Sequence, residues 1–175
     1  MTVQQPFEKS EHTFEAISTD PAVIRKAFGR FPSGIAALSA LVEGNPVGIV
    51  ASSFSVGVSF EPPLVMFSVQ NSSATWPIMR RQKRIGVSVL GSEHGQLCYQ
   101  LASRSGDRFA NVPVVATAQG ALFIRGSALW MDCEILSETA AGDHQIVVLE
   151  VKALNVEADH EPLVYHGAQF RQLAS

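Results

Sequence analysis

A chain of 175 residues, 46% hydrophobic and 17% charged, is long enough for one domain with a full hydrophobic core. A formal net charge of -3 without a block of like charge offers no footprint for nucleic acid, so no nucleic-acid partner is expected. No uncharged run is long enough for a membrane span, and residues 1–20 carry Glu8, Glu11, Glu15 and Asp20 where a signal peptide would be apolar.

Residues 1–19 are polar and aperiodic apart from Phe7, Phe14 and Ile17, and read as a flexible arm before a single domain over 20–175. Asp20-Pro21 is a helix start, with Asp20 as N-cap and Pro21 at the first helical position. Val23, Ile24, Ala27 and Phe28 follow at helical spacing and are expected to pack inward. Gly29 or the segment Phe31-Pro32-Ser33-Gly34 ends the helix. Ile35 to Val42 reads as a strand, and Glu43-Gly44-Asn45-Pro46 as a turn into the apolar run Val47 to Ala51, which implies an antiparallel hairpin. That run breaks into Ser52-Ser53-Phe54-Ser55. Buried hydroxyls need partners, and a bound ligand is the expected one.

Leu64 to Val69 is a continuous apolar run bounded by prolines, hence a buried strand. Asn71-Ser72-Ser73-Ala74-Thr75 then leads into a short helix over Trp76 to Gln82. The basic run Arg80-Arg81-Gln82-Lys83-Arg84 reads as its solvated end, where cations suit the macrodipole. Ile85, Val87 and Val89 alternate in a strand over Arg84 to Leu90. His94 to Ala102 has helical spacing, and Arg104 to Phe109 is a polar loop ending on an aromatic. Val112 to Gly120 is irregular. Ala121 to Leu136 reads as one long or bent strand. The turn Glu138 to Asp143 leads into a β-branched strand, Gln145 to Leu154. Pro162 to Tyr165 and Gln169 to Leu173 flank His166-Gly167-Ala168 as a last hairpin. Seven or eight strands with three short helices and few crossovers predict a mainly β fold, an antiparallel barrel with helices at its side.

Cys98 and Cys133 lack metal-ligand spacing and read as two reduced, semi-buried thiols in a cytoplasmic protein. The five histidines are scattered, so no metal is expected. Neither a Gly-x-Gly-x-x-Gly turn, a phosphate loop nor a Gly-x-Ser-x-Gly elbow occurs. Two hydroxyl clusters remain, Ser52 to Ser55 and Asn71 to Thr75. The second is composed either as an anion site or as an ordinary N-cap. His144, in Ala141-Gly142-Asp143-His144, either caps a turn or projects into a pocket.

Five blocks together resemble one family: Phe28-Gly29-Arg30-Phe31-Pro32-Ser33-Gly34, Gly48 to Ser55, Pro62-Pro63-Leu64-Val65, Gly142-Asp143-His144, and Pro162-Leu163-Val164-Tyr165-His166-Gly167. These are similar to the short-chain flavin reductases, the reductase components of two-component flavin monooxygenases. The resemblance covers about Ala22 to Leu173. It implies an FMN-binding split β-barrel, usually a homodimer, in which NADH or NADPH reduces FMN or FAD for a separate oxygenase component. Carried over by position, Val50, Ala51, Ser52, Ser53 and Phe54 would line the isoalloxazine. Asn71, Ser72, Ser73 and Thr75 would hold the ribityl chain and phosphate. Phe109 would flank the flavin, His144 would face the flavin and nicotinamide as the catalytic residue, and Tyr165 and His166 would close the pocket's edge. Two positions depart from the family pattern: Ile35 to Ala40 replaces a Val- and Thr-rich run, and Glu61 replaces Asp before the double proline. A flavin carrier without reductase activity, and a β-barrel interaction module whose serines are only caps, are the competing readings.

Overall fold

The computed structural model describes residues 14–173. Most of the expected N-terminal arm lies outside them, and Phe14 to Thr19 form neither helix nor strand. Seven strands make one antiparallel sheet: β2 (Ala36–Val42), β3 (Asn45–Ala51), β4 (Ser55–Phe60), β5 (Pro63–Gln70), β6 (Ile85–Val89), β9 (Leu129–Ala141) and β10 (His144–Val156), in the order β3-β2-β6-β9-β10-β5-β4. The short strands β1 (Ser33–Gly34), β11 (Val164–His166) and β12 (Gln169–Arg171) form a second sheet, and β7 (Val114–Ala116) and β8 (Leu122–Ile124) a third. Helix α1 (Pro21–Phe28) precedes the first strand, and α2 (Trp76–Met79) and α3 (Gly95–Ala102) lie between strands in sequence. The expected mainly β, antiparallel architecture with short helices is the one observed.

Two hairpins set the register. Glu43 and Gly44 both have positive φ, 52° and 80°, which suits a tight turn between twisted strands, and Val42 pairs with Asn45 across it. Gly142, φ 62°, begins the turn between β9 and β10, whose ladder runs from His144↔Ala141 to Val156↔Leu129.

The core has two parts, divided by β2. Leu38 packs with Phe67, Trp76, Ile85, Met131 and Leu149 on one side, while Ile35 and Ala37 pack with Leu90, Leu101, Ile124 and Leu163 on the other. Burial on both faces explains the small residues of Ile35 to Ala40, the stretch that departs from the family pattern. β8 crosses close above β2 and β6. The Ser39 hydroxyl donates to the Leu122 carbonyl at 2.9 Å, and the Ile124 N–H donates to the Ser88 hydroxyl at 3.0 Å. Both serines are fully buried, so each satisfies its hydroxyl while supplying a backbone partner that β8 lacks in its own two-stranded sheet.

Several expectations change. α1 buries no residue: Val23 is 51% and Phe28 70% exposed. Its spacing marks an apolar face without saying what covers it. α2 stops at Met79, and the basic run after it is paired as well as solvated. Arg80 bonds Glu138, and Arg84 lies 3.6 Å from Asp132 and 3.3 Å from Glu134. The stretch Ala121 to Leu136 is two strands in different sheets, separated where Gly126 takes φ 79°. β9 continues through the expected turn to Ala141, held by its ladder to β10 although Thr139 to Ala141 carry no apolar alternation. β4 at one sheet edge, β1, and β7 inside the irregular Val112 to Gly120 are further strands that hydrophobic pattern alone does not mark.

Candidate functional site

β3 and β4 terminate opposite ends of the seven-stranded order, with β5 beside β4. Curvature brings the end of β3 back toward β5, where no ladder joins them. Ser53 spans the seam instead. Its hydroxyl donates to the Ser68 carbonyl at 3.0 Å and accepts the Ser68 N–H at 3.1 Å. The seam opens into a cleft of about 670 Å³. One wall is Ile49 to Ser53 from β3 and the residues after it. Ser68 to Gln70 of β5 and Ser72 to Thr75 follow, while Leu101 to Arg104 and Arg108 form the facing side, and His144 stands at the turn of the long hairpin. As an edge strand, β3 pairs with β2 on one side only, which leaves backbone N–H and C=O groups on its other side without ladder partners.

The cleft's electrostatics are one-sided. Arg104, Arg108 and His144 line it, and among the described residues no Asp or Glu does. Arg108 is half-buried, and its Nη1 donates to the Gly48 carbonyl at 3.2 Å and to Thr75 Oγ1 at 3.1 Å. The guanidinium therefore ties the edge strand to the loop before α2, with its remaining N–H groups available to an anion. Ser73 Oγ accepts the Trp76 N–H at 3.2 Å, so it acts as a cap for α2, and Ser72 Oγ donates to Gln70 Oε1 at 3.4 Å.

His144 Nδ1 lies 2.7 Å from Asp143 Oδ1. The hydrogen bond with His144 is the main reason the Asp143 carboxyl is held below its ordinary range, and the nearby Arg25 adds a smaller pull. With Nδ1 engaged, Nε2 is the free ring nitrogen. The turn that presents it is clamped by Asn71, whose N–H donates to the Asp143 carbonyl at 2.9 Å and whose Nδ2 donates to the Gly142 carbonyl at 3.3 Å.

Such a cleft, small-residued, edged by open backbone and cationic along one side, accommodates a planar ligand with an anionic tail. Residues 28–174 match the family model described as the flavin reductase like domain. The chain belongs to this family. A flavin reductase of Pseudomonas putida is 34% identical over 157 residues, 89% of this chain and 92% of the relative. The flavin-dependent monooxygenase reductase subunit HsaB of Rhodococcus jostii is 30% identical over 155 residues, 89% of this chain and 79% of that one. Among solved structures, the Streptomyces globisporus NADH:FAD oxidoreductase SgcE6, in complex with NAD and FAD fragments, matches with TM-score 0.84 at 29% identity. That match covers 92% of this chain and 98% of the other.

Within this flavin reductase fold, Val50, Ala51, Ser52, Ser53, Ser72, Ser73, Thr75 and His144 share the cleft. The other candidate residues do not line it. Phe54 packs against the first core cluster. Asn71 serves the turn. Phe109 joins the second cluster and supports β3 from behind, since a Cβ on Gly48 would sit 2.8 Å from the tip of its ring. Tyr165 packs on Phe170, with ring centroids 5.7 Å apart, and His166 pairs with Gln169 in the last hairpin. Ser53 is exposed, and its hydroxyl is satisfied by Ser68, so the ligand is not needed as its partner. Among the lining residues that hydrophobic and motif reading passed over, Arg104 and Arg108 are the charged ones. Their signal is two arginines four apart in a polar loop that follows an apolar helix.

Among the described residues no three His, Cys, Asp or Glu gather to hold a metal ion, and no helix is long and apolar enough to cross a membrane. Both cysteines are free and buried. Desolvation raises the Cys98 thiol to about 11 and the Cys133 thiol to about 12.

Proposed function

We propose that the cleft binds FMN or FAD with the ring against Val50 to Ser53 and the phosphate at Arg108 and Thr75, and that NADH or NADPH reduces the flavin there. As a member of the flavin reductase family, the chain is an oxidoreductase. The observation that carries the finer reading is the combination of an unpaired strand edge with Arg108 fixed by two hydrogen bonds at one end of the same cleft. The residues fit a flavin: Ala51, Ser52, Ser53 and Ala74 are small enough to let a flat ring approach backbone, and the cations suit a phosphate. Bound flavin would supply the redox chemistry, accepting hydride from the nicotinamide.

The chain's part is binding and orientation. Free N–H groups along the edge of β3 would favour negative charge on the ring's pyrimidine side, as fixed donors do for any developing anion. Asp143 holds His144 Nδ1, so Nε2 is left to position the nicotinamide or pass a proton. Hydride transfer between the two cofactors requires no residue with a finely tuned acid–base character.

A homodimer with a separate oxygenase component completes the reading, and a cytoplasmic location agrees with the two free thiols. Phe28, Phe31 and Phe60 are 70%, 78% and 88% exposed. Aromatic surface of this extent, with an α1 that buries nothing, supports cover by a second subunit. The Rhodococcus relative is a reductase subunit of a flavin-dependent monooxygenase, which supports the oxygenase partner. Fluorescence titration of FMN and FAD against wild type and Ser53→Leu tests the cleft: the leucine fills the seam and should weaken both flavins. Unchanged affinity in a folded Ser53→Leu protein would remove the ring from this wall.

A further inference from the structure

We infer that Gln100 is a positioning residue for the β3 wall of the cleft: from the last turn of α3 it fixes the two loop residues that hold the edge strand at Gly48. The inference rests on the cleft being the flavin site. The Gln100 side-chain amide donates to two carbonyls, Arg108 O at 3.1 Å and Ala110 O at 2.9 Å, and so uses both of its N–H groups. These carbonyls stand on either side of Phe109. Apart from the two bonds of Arg108 Nη1, every other hydrogen bond of the loop 104–111 among the described residues joins positions three or fewer apart. Gln100 therefore ties the loop to the body of the protein at one end, and the Arg108 guanidinium does so at the other.

The anchor is rigid. Cys98 and Leu101 bury α3 in the second core cluster, 6% and 2% exposed, and the Gln100 carbonyl accepts the Ser103 N–H at 3.1 Å where the helix ends. What the anchor holds is specific. With the peptide groups around Phe109 fixed, its ring reaches Gly48, where an added Cβ would sit 2.8 Å from the ring tip. The preceding residue, Arg108, bonds the Gly48 carbonyl. Consecutive loop residues thus hold Gly48 at its Cα and at its carbonyl, and the wall Ile49 to Ser53 begins at the next position. β3 has a ladder on one side only, so these contacts stand in for the neighbour that an inner strand would have. A side chain that only closed its helix would bond carbonyls of its own last turn. Gln100 instead bonds two beyond the helix, eight and ten positions on.

Riboflavin, which carries no phosphate, reads the wall without any anion contact. The test is its fluorescence titration against wild type, Gln100→Met and Gln100→Glu, with circular dichroism to confirm folding. Gln100→Met keeps the length of the side chain without its donors, and should weaken riboflavin about three- to tenfold. Gln100→Glu sets an acceptor-only carboxylate against two carbonyl oxygens, which raises its pKa above the ordinary value of about 4.3. Its deficit relative to wild type should be largest near about pH 8 and shrink toward about pH 5, as the protonated carboxyl regains one O–H donor. Wild-type riboflavin affinity in folded Gln100→Met, with or without a lower melting temperature, would overturn the assignment, because Gln100 would then serve stability alone. So would a Gln100→Glu deficit that does not change over that pH range. Failure of wild type to bind riboflavin, FMN or FAD would instead overturn the underlying flavin reading.

Discussion

Replacing Arg108 with Gln separates the two jobs that its guanidinium performs. In the free protein it loses the Nη1 bonds to Gly48 O at 3.2 Å and Thr75 Oγ1 at 3.1 Å. Both are at the long end for charged hydrogen bonds and only partly buried, so their combined loss should cost about 1–2 kcal/mol of stability. For a chain of this size that lowers Tm by roughly 2–8 °C. In the flavin complex the variant also loses the phosphate contact, about 1.5–2 kcal/mol, or roughly a 10- to 30-fold increase in Kd. Riboflavin provides the internal control. Disorder of the edge strand weakens riboflavin and FMN alike, whereas loss of the phosphate contact weakens FMN alone. Flavin fluorescence quenching at fixed ionic strength measures both, and the preference of wild type for FMN over riboflavin should fall with added salt as well. If the FMN-to-riboflavin affinity ratio is the same in wild type and Arg108→Gln, the phosphate does not sit at Arg108.

His144→Ala should slow NADH-driven flavin reduction with a modest loss of flavin affinity. Asp143→Asn should reproduce part of that loss, because it weakens the 2.7 Å bond that holds Nδ1; wild-type single-turnover rates in both would exclude the imidazole from the reaction. Gly86→Ala should cost more than about 3 kcal/mol, or abolish folding. The added methyl would overlap the Leu122 carbonyl oxygen and approach its nitrogen to 2.7 Å; a denaturation midpoint near wild type would refute the close crossing of β8. Acid should destabilise the protein partly through His94, whose pKa is lowered mainly by desolvation, with His160 adding to this while the Arg125 backbone and Glu93 oppose it. The unfolded chain then takes up a proton near pH 6.5 that the folded chain resists. Stability from this group is therefore full above that pH and falls as pH drops toward the folded value. His94→Asn should flatten that part of the pH–stability profile, and an unchanged profile would contradict the assignment.

Much of the sheet was legible because its inner strands carry their burial in their sequence. Leu64 to Val69 and Ile85 to Val89 become β5 and β6 with little change. β4 was not, because an edge strand with Val56 and Val58 exposed has no buried face to print on the sequence. The long β9 begins later and ends later than its hydrophobic pattern indicates. Gly126 separates it from β8 through a backbone conformation, and its ladder to β10 holds Thr139 to Ala141 extended without help from hydrophobic alternation. In the site, the strand-end serines and His144 were recognisable as a set. Their partners were not, since Ser53–Ser68, Arg108–Thr75 and Asn71–Gly142 join residues 15, 33 and 71 positions apart. The registers of β5 with β10 and of β4 with β5, which no local pattern encodes, decide the Asn71 and Ser53 pairings, and the loop after α3 brings Arg108 to Thr75.

The central claim is that this chain uses a nicotinamide nucleotide to reduce a flavin held in the β3–β5 seam. Steady-state oxidation of NADH and NADPH with FMN, FAD and riboflavin in turn tests it most directly. The expected result is protein-dependent oxidation that saturates with FMN or FAD and falls when Ser53→Leu replaces wild type. Oxidation no faster than the free-flavin background, with every combination of nucleotide and flavin, would contradict it.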